Sequence, residues 1–217
     1  MTKSAASTVP TYEKRFMPRL FDIAITVMFA PFGGARRLRE RALDLAGIGG
    51  GTRVLELGCG TGGVTALMLS RGARVEAIDG SAQMLEQARR AAPGASFTQM
   101  QLEDLAIDED HDVVLLAFVL HELTPELRAE VLAKALVALA SDGRLAILDH
   151  AVPRSGLRAR AWRWLLLALE PPTVRDCIER GYAAEVERAG GRVTATHNLA
   201  GGTAALTLGS PDAVRPQ

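Results

Sequence analysis

The densest chemical signal in the chain is the run Val54-Leu55-Glu56-Leu57-Gly58-Cys59-Gly60-Thr61-Gly62-Gly63. It sits where an apolar strand pattern gives way to a helical one. Glycine at such a point allows a tight bend and close approach of a ligand to the backbone. Gly58, Gly60 and Gly63 formally satisfy the G-x-G-x-x-G spacing of dinucleotide sites. Glu56 turns the reading elsewhere. A carboxylate two residues before the first glycine would repel a pyrophosphate but attract an ammonium. Glycines at alternate positions, Gly58, Gly60 and Gly62, suit close passage under an amino acid and a nucleoside. A second acid, Asp79, ends the run Val75-Glu76-Ala77-Ile78-Asp79, where a carboxylate can accept from both hydroxyls of a ribose. A nicotinamide nucleotide also carries that ribose, so Asp79 identifies the sugar and leaves the cofactor open. Its alternative role is to cap the helix beginning near Ser81. Two further apolar runs are each followed by an acid and a histidine side by side, His121-Glu122 and Asp149-His150.

These groups need a frame, and the apolar pattern supplies one. Strands are expected at Thr52–Leu57, Ala73–Ile78, Ser96–Met100, Val113–Phe118 and Arg144–Leu148. Helices are expected between them at Gly63–Ser70, Ala82–Ala92 and Pro125–Ala140, the last with Thr124 as cap and Pro125 in the first turn. Val113–Phe118 is almost continuously apolar, as suits a strand covered on both faces. Strands alternating with helical crossovers predict an α/β fold with a doubly wound, mostly parallel sheet. The end of the chain differs. After helical stretches at Leu157–Leu169 and Val174–Ala189, strands at Arg192–Asn198 and Thr203–Leu208 are separated by only Leu199-Ala200-Gly201-Gly202. So short a link permits only an antiparallel hairpin, which brings the total to seven strands with the last reversed.

With 217 residues, 48% hydrophobic and 23% charged, the chain suits one domain with a full core and excludes disordered, collagenous and coiled-coil classes. The net charge of zero argues against a general nucleic-acid binder. Locally the charge is uneven: residues 1–50 sum to +4, 51–150 to −7 and 151–217 to +3. The basic flanks either face something anionic or dock on the acidic middle. Two distant cysteines, Cys59 and Cys177, make neither a disulfide framework nor a zinc spacing. A reducing, cytoplasmic setting is expected, with no secretory leader. No metal site is expected from the spacing of His, Cys and acidic residues.

The segments V-L-E-L-G-C-G-T-G, V-E-A-I-D-G-S-A-Q-M-L and D-V-V-L-L-A-F-V-L-H-E-L, in that order and spacing, resemble class I S-adenosylmethionine-dependent methyltransferases. The likeness is specific over residues 50–150 and recognisable over 173–208, and small bacterial members acting on quinones or phospholipids look closest. The resemblance implies a Rossmann-like sheet and S-adenosyl-L-methionine as cofactor. It also implies a site in which Glu56 and the loop Gly58, Cys59, Gly60, Thr61 and Gly62 hold the methionine part. Asp79 then holds the ribose, Gly80 and Met84 lie beside the adenine, and Gln101, Leu102 and Glu103 close over its edge. Ala117 lines the methionine side. Two departures stand out: Gln101 occupies a position where the family often has Asp, and Ser141-Asp142-Gly143 replaces a usual Pro-Gly-Gly turn.

A methyl sulfonium is already activated, so the protein must align a nucleophile, exclude water and, for a phenol or enol, provide a base. His121 is the expected base or hydrogen-bond partner of the acceptor, because imidazole titrates near neutrality, with orientation of the following loop as its alternative role. Glu122, Asp149 and His150 are expected beside the acceptor, since ligands of open α/β sheets bind at the carboxyl ends of the strands. Phe21 and Phe29, on an apolar helix near Pro18–Phe29, are expected to cover it. A segment combining Arg154, Arg158, Arg160 and Arg163 with Trp162, Trp164 and three leucines has the composition of a membrane interface. The expected division is residues 1–48 as a helical lid, 49–150 as the cofactor-binding core and 151–217 as a helical cover plus hairpin. The expected acceptor is a small hydrophobic or lipid-like molecule methylated at N or O, a phospholipid headgroup amine before a prenylated quinone. It would be taken from an anionic membrane surface on the inner face by a monomer or homodimer. A nicotinamide-dependent oxidoreductase and a non-catalytic cofactor-binding module are the alternative functions.

Overall fold

The apolar runs become parallel strands because helices cover both faces of the central ones. The computed structural model describes residues 25–106 and 110–212. Strands β1 (Arg53–Leu57), β2 (Arg74–Asp79), β3 (Ser96–Gln99), β4 (His111–Ala117), β5 (Leu139–His150), β6 (Gly191–Leu199) and β7 (Ala204–Pro211) form one sheet in the order β3-β2-β1-β4-β5-β7-β6. The first five strands run parallel to one another, and β7 is antiparallel to both β5 and β6. The expected hairpin and reversed last strand are both present. The strand order reverses direction between β1 and β4, the crevice where open α/β sheets take ligands.

Side-chain alternation divides the core into two layers. Val54, Val113, Leu115 and Leu148 face one side, where they pack with α1 (Gly34–Leu45), α2 (Gly63–Ser70) and α3 (Ala82–Ala91). Leu55, Leu57, Val114, Leu116 and Ile147 face the other, against α4 (Pro125–Val137), α6 (Val174–Arg180) and α7 (Tyr182–Arg188). Helix α5 (Leu157–Leu169) lies at the margin and buries Ala159, Trp162 and Leu166. The caps follow the local sequence. Ser81 Oγ accepts from the amide of Met84, and Thr124 Oγ1 from that of Leu127, with Pro125 in the first turn. Residues 25–29 are helical; the rest of the segment expected as a helix near Pro18–Phe29, Phe21 included, lies outside the described residues.

Two elements differ from expectation. The helix expected over Val174–Ala189 is broken at Gly181, whose φ of +74° is incompatible with a continuous right-handed helix. Strand β5 begins at Leu139, before the expected turn at Ser141-Asp142-Gly143, and α4 accordingly stops at Val137. A bulge between His111 and Val113 absorbs the extra residues. Gly143 fits there because a Cβ would lie 2.7 Å from the carbonyl oxygen of His111.

Candidate active site

A cleft of about 1120 Å³, its open mouth included, lies over the carboxyl ends of β1, β2 and β4. Its floor is the bend after β1. Gly58, Gly60 and Gly62 all have positive φ, at +75°, +54° and +78°. Gly58 is required by contact as well as by dihedral, since a Cβ would fall 2.5 Å from Val119 Cγ2. Gly62 does not line the cleft. It lets the start of α2 touch α3: a Cβ there would sit 2.8 Å from Ala88 Cα.

Glu56 lies on the floor, 1% exposed, and accepts a 2.5 Å hydrogen bond from Thr65 Oγ1. Burial pushes its carboxyl up to about 7, against the Thr65 hydrogen bond and the attraction of Arg39. A carboxylate so placed gains most from a cationic partner entering the cleft. At the end of β2, Asp79 Oδ2 accepts from the Gly60 amide at 2.8 Å and Oδ1 from the Ser81 amide at 2.9 Å. The helix cap is Ser81, so Asp79 instead ties the two ligand-facing loops together and keeps its carboxylate in the cleft wall. Gly80, Met84, Gln101, Leu102 and Glu103 form the wall beyond it, and Cys59, Thr61 and Ala117 the nearer side. Burial raises the Cys59 thiol far above its ordinary range, so it contributes shape and no nucleophile. Donor set and cradle fit a zwitterionic amino acid joined to a nucleoside.

Sequence reasoning missed several cleft residues. Arg39 of α1 lies against Gly63 and near Glu56, but in the run Arg36-Arg37-Leu38-Arg39-Glu40-Arg41 nothing marks it out. Ile25, Phe118, Val119, Leu123 and Leu127 supply apolar wall. Phe118 has φ of +58°, a strained value for an aromatic residue, held by its amide bond to the Leu148 carbonyl at 2.8 Å. The apolar run continues past the end of β4 to Leu120, so nothing in it signals the turn at Phe118.

The acceptor-side expectations divide. Glu122 lines the cleft, whereas His121, Asp149 and His150 do not. Phe29 is buried behind the wall, 5.4 Å from Phe118 and 6.2 Å from Trp162 between ring centroids. His121 corrects the expectation of a substrate-facing base. Its ring is buried, with Nδ1 2.8 Å from Asp149 Oδ1 and Nε2 3.3 Å from Glu170 Oε2. Burial alone would lower its pKa, but Asp149 and Glu170 outweigh that and hold it well above the usual histidine value. The opposite balance holds Asp149 below the usual carboxylate range. Both imidazole nitrogens face carboxylates, leaving no lone pair for an acceptor. Asp149 further accepts from the amides of His121 and His150.

A family model described as a methyltransferase domain matches residues 54–143. The ubiquinone/menaquinone biosynthesis C-methyltransferase of Pseudomonas paraeruginosa is 30% identical, over 82% of this chain and 80% of its own length. An uncharacterised methyltransferase of Synechocystis sp. is 29% identical over 79% of this chain and 81% of its own. Among solved structures, the TehB-like methyltransferase of Corynebacterium glutamicum superposes with a TM-score of 0.66 at 19% identity, covering 94% of this chain and all of the other. Mitomycin 7-O-methyltransferase reaches a TM-score of 0.71 at 22% identity, covering 95% of this chain and 61% of its own. A glycine bend preceded by a buried acid, an Asp79 carboxylate in the cleft wall, this sheet order and a relative matched across most of both chains agree, and the chain belongs to the class I S-adenosylmethionine-dependent methyltransferases.

Proposed function

We propose that this enzyme methylates a hydrophobic, hydroxylated ring of the quinol class at a ring carbon. The observation that carries the reading is the acceptor wall: Ile25, Phe118, Val119, Leu123 and Leu127 are apolar, and Glu122 sets a single carboxylate beside Phe118 and Val119. The Pseudomonas relative, named for carbon methylation in quinone biosynthesis, supports the same class. S-adenosylmethionine, when bound, supplies a methyl group already activated on sulfur. Glu56 receives the ammonium of the methionine part, Arg39 its carboxylate, and Asp79 the ribose hydroxyls. Phe118 and Leu123 hold the ring and exclude water. Glu122 would take the proton of a ring hydroxyl, which raises electron density at the neighbouring carbon where the methyl group would be accepted, and the hydrogen that this carbon gives up would pass to solvent.

The outer face of α5 supports acquisition from a membrane. Leu157, Trp164 and Leu169 are 82%, 72% and 66% exposed, with Arg158 and Arg160 exposed between them. That mixture favours peripheral contact with an anionic bilayer. Among the described residues no helix is long and apolar enough to cross one. A second reading, methylation of a phospholipid amine, draws on the same Glu122, which would attract an ammonium. Transfer of labelled methyl into a reduced total lipid extract separates the two. Label on a quinol ring carbon is expected. Label on headgroup nitrogen establishes the second reading, and label in neither fraction removes both. Pelleting with anionic vesicles at low and high salt tests the membrane contact.

A further inference from the structure

His121 in the turn after β4, His150 at the end of β5 and Glu170 just after α5 converge although they are far apart in sequence. Glu170 divides its oxygens between the two rings: Oε2 lies 3.3 Å from His121 Nε2 and Oε1 3.4 Å from His150 Nε2. Hydrogen bonds between charged partners are shorter, about 2.7–2.9 Å. The rings meet different oxygens of one carboxylate, at separations longer than such bonds and open to an ion held between the two rings and both oxygens. Behind His121, Asp149 Oδ1 sits 2.8 Å from Nδ1, the carboxylate–imidazole arrangement that orients a ligating histidine. Among the described residues the group whose ligand atoms all lie within 4.8 Å of one another is His121, Asp149 and His150, and Glu170 stands beside it against both rings. His150 is 4% exposed, and its Nδ1 meets no hydrogen-bond partner among the described residues. The ring is therefore placed by packing against Phe29 and Phe118 with Nε2 turned to the common centre.

We propose that His121 Nε2, His150 Nε2 and the Glu170 carboxylate bind one divalent first-row cation of the zinc type, with Asp149 orienting His121. Two neutral imidazoles and a carboxylate are a borderline donor set that such an ion prefers. The cation takes the place of the proton between His121 and Glu170, and that proton passes to solvent. Phe29, Phe118 and Trp162 form a dry wall on one side, while Glu170, with its side chain 18% exposed, gives the route of entry. None of the three ligands lines the cofactor cleft. The ion therefore fastens the end of α5 to the ends of β4 and β5 and fixes the wall that Phe118 presents to the acceptor. The site is independent of the acceptor's identity.

The test uses untagged full-length protein dialysed against EDTA. Titration with Co(II) is expected to give visible bands of nitrogen/oxygen coordination at one equivalent per chain, without a thiolate charge-transfer band, because Cys59 and Cys177 lie elsewhere. Zinc at a hundredfold excess over its dissociation constant is expected to raise Tm by about 5–10 °C. Glu170→Gln, a change at a partly exposed position, is expected to weaken Co(II) binding more than about tenfold. Absent Co(II) bands with a Tm indifferent to zinc would overturn the proposal and leave a hydrogen-bonded ion network. Unchanged bands in Glu170→Gln would overturn it too, by placing the ion elsewhere.

Discussion

Thr65 reaches back from the first turn of α2 to donate to Glu56, so the acid under the glycine bend is gripped by the helix that follows it. That grip orients the carboxylate without compensating its burial. With a carboxyl pushed up to about 7, the ionised form is disfavoured in the free enzyme and favoured once an ammonium lies against it. The folded pKa is raised, so this group's contribution to stability is greatest below its ordinary value and is lost as pH rises from 4.5 to about 7, an effect of about 3 kcal/mol. Affinity for S-adenosylhomocysteine runs the other way. It is expected to tighten about tenfold per pH unit below 7 and level off above. Calorimetric titration from pH 5.5 to 8.5 checks this, and Glu56→Gln is expected to bind weakly with a flat profile. A flat profile in the unmodified enzyme would contradict the ammonium pairing.

Asp79 holds two loops and, in the proposed reading, receives the ribose on the same carboxylate. Asp79→Asn keeps the shape but turns one acceptor into a donor. The loss of cofactor affinity is expected to be about 1–3 kcal/mol. Equilibrium binding of S-adenosylhomocysteine measures it, with NADH as a control ligand expected not to bind either form.

The glycines of the bend differ in purpose, and alanine substitution should separate them. Gly62→Ala brings a Cβ to 2.8 Å from Ala88 Cα at a positive φ, a cost of about 2–4 kcal/mol in stability. Because Gly62 is outside the cleft, the protein that remains folded should bind cofactor normally. Gly58→Ala collides with Val119 in the cleft wall, so affinity should fall together with stability. Urea unfolding and ligand titration on the same samples distinguish the two.

Arg128 is wholly buried and binds the Leu120 carbonyl, the Thr173 carbonyl and Asp176, each at 2.8 Å. It thereby joins α4 to the turn carrying His121 and to the start of α6. Arg128→Met strands these acceptors and is expected to cost about 3–5 kcal/mol. Arg128→Lys should recover little, since a single ammonium cannot serve three directions spread across a planar fork. Chemical denaturation of the three proteins provides the comparison.

The cofactor half of the site was legible because each of its groups stands at the end of its own strand. Periodicity locates β1, β2 and β4, and once they are parallel neighbours Glu56, Asp79 and Ala117 must share one edge of the sheet. Gly58 and Gly60 announce themselves through the backbone conformation they alone tolerate. The same local logic located the terminal hairpin, whose link is too short for any other connection. It failed where side chains from distant segments meet. His121 reads in isolation as a free base, and only folding sets Asp149 on one nitrogen and Glu170 on the other. Arg39 is one of four arginines within six residues until the packing of α1 brings it to the glycine bend. Strand ends are decided by local patterns of φ, ψ and hydrophobicity. The partners of a buried charge are decided by which surfaces close over it, and that information is spread across the whole chain.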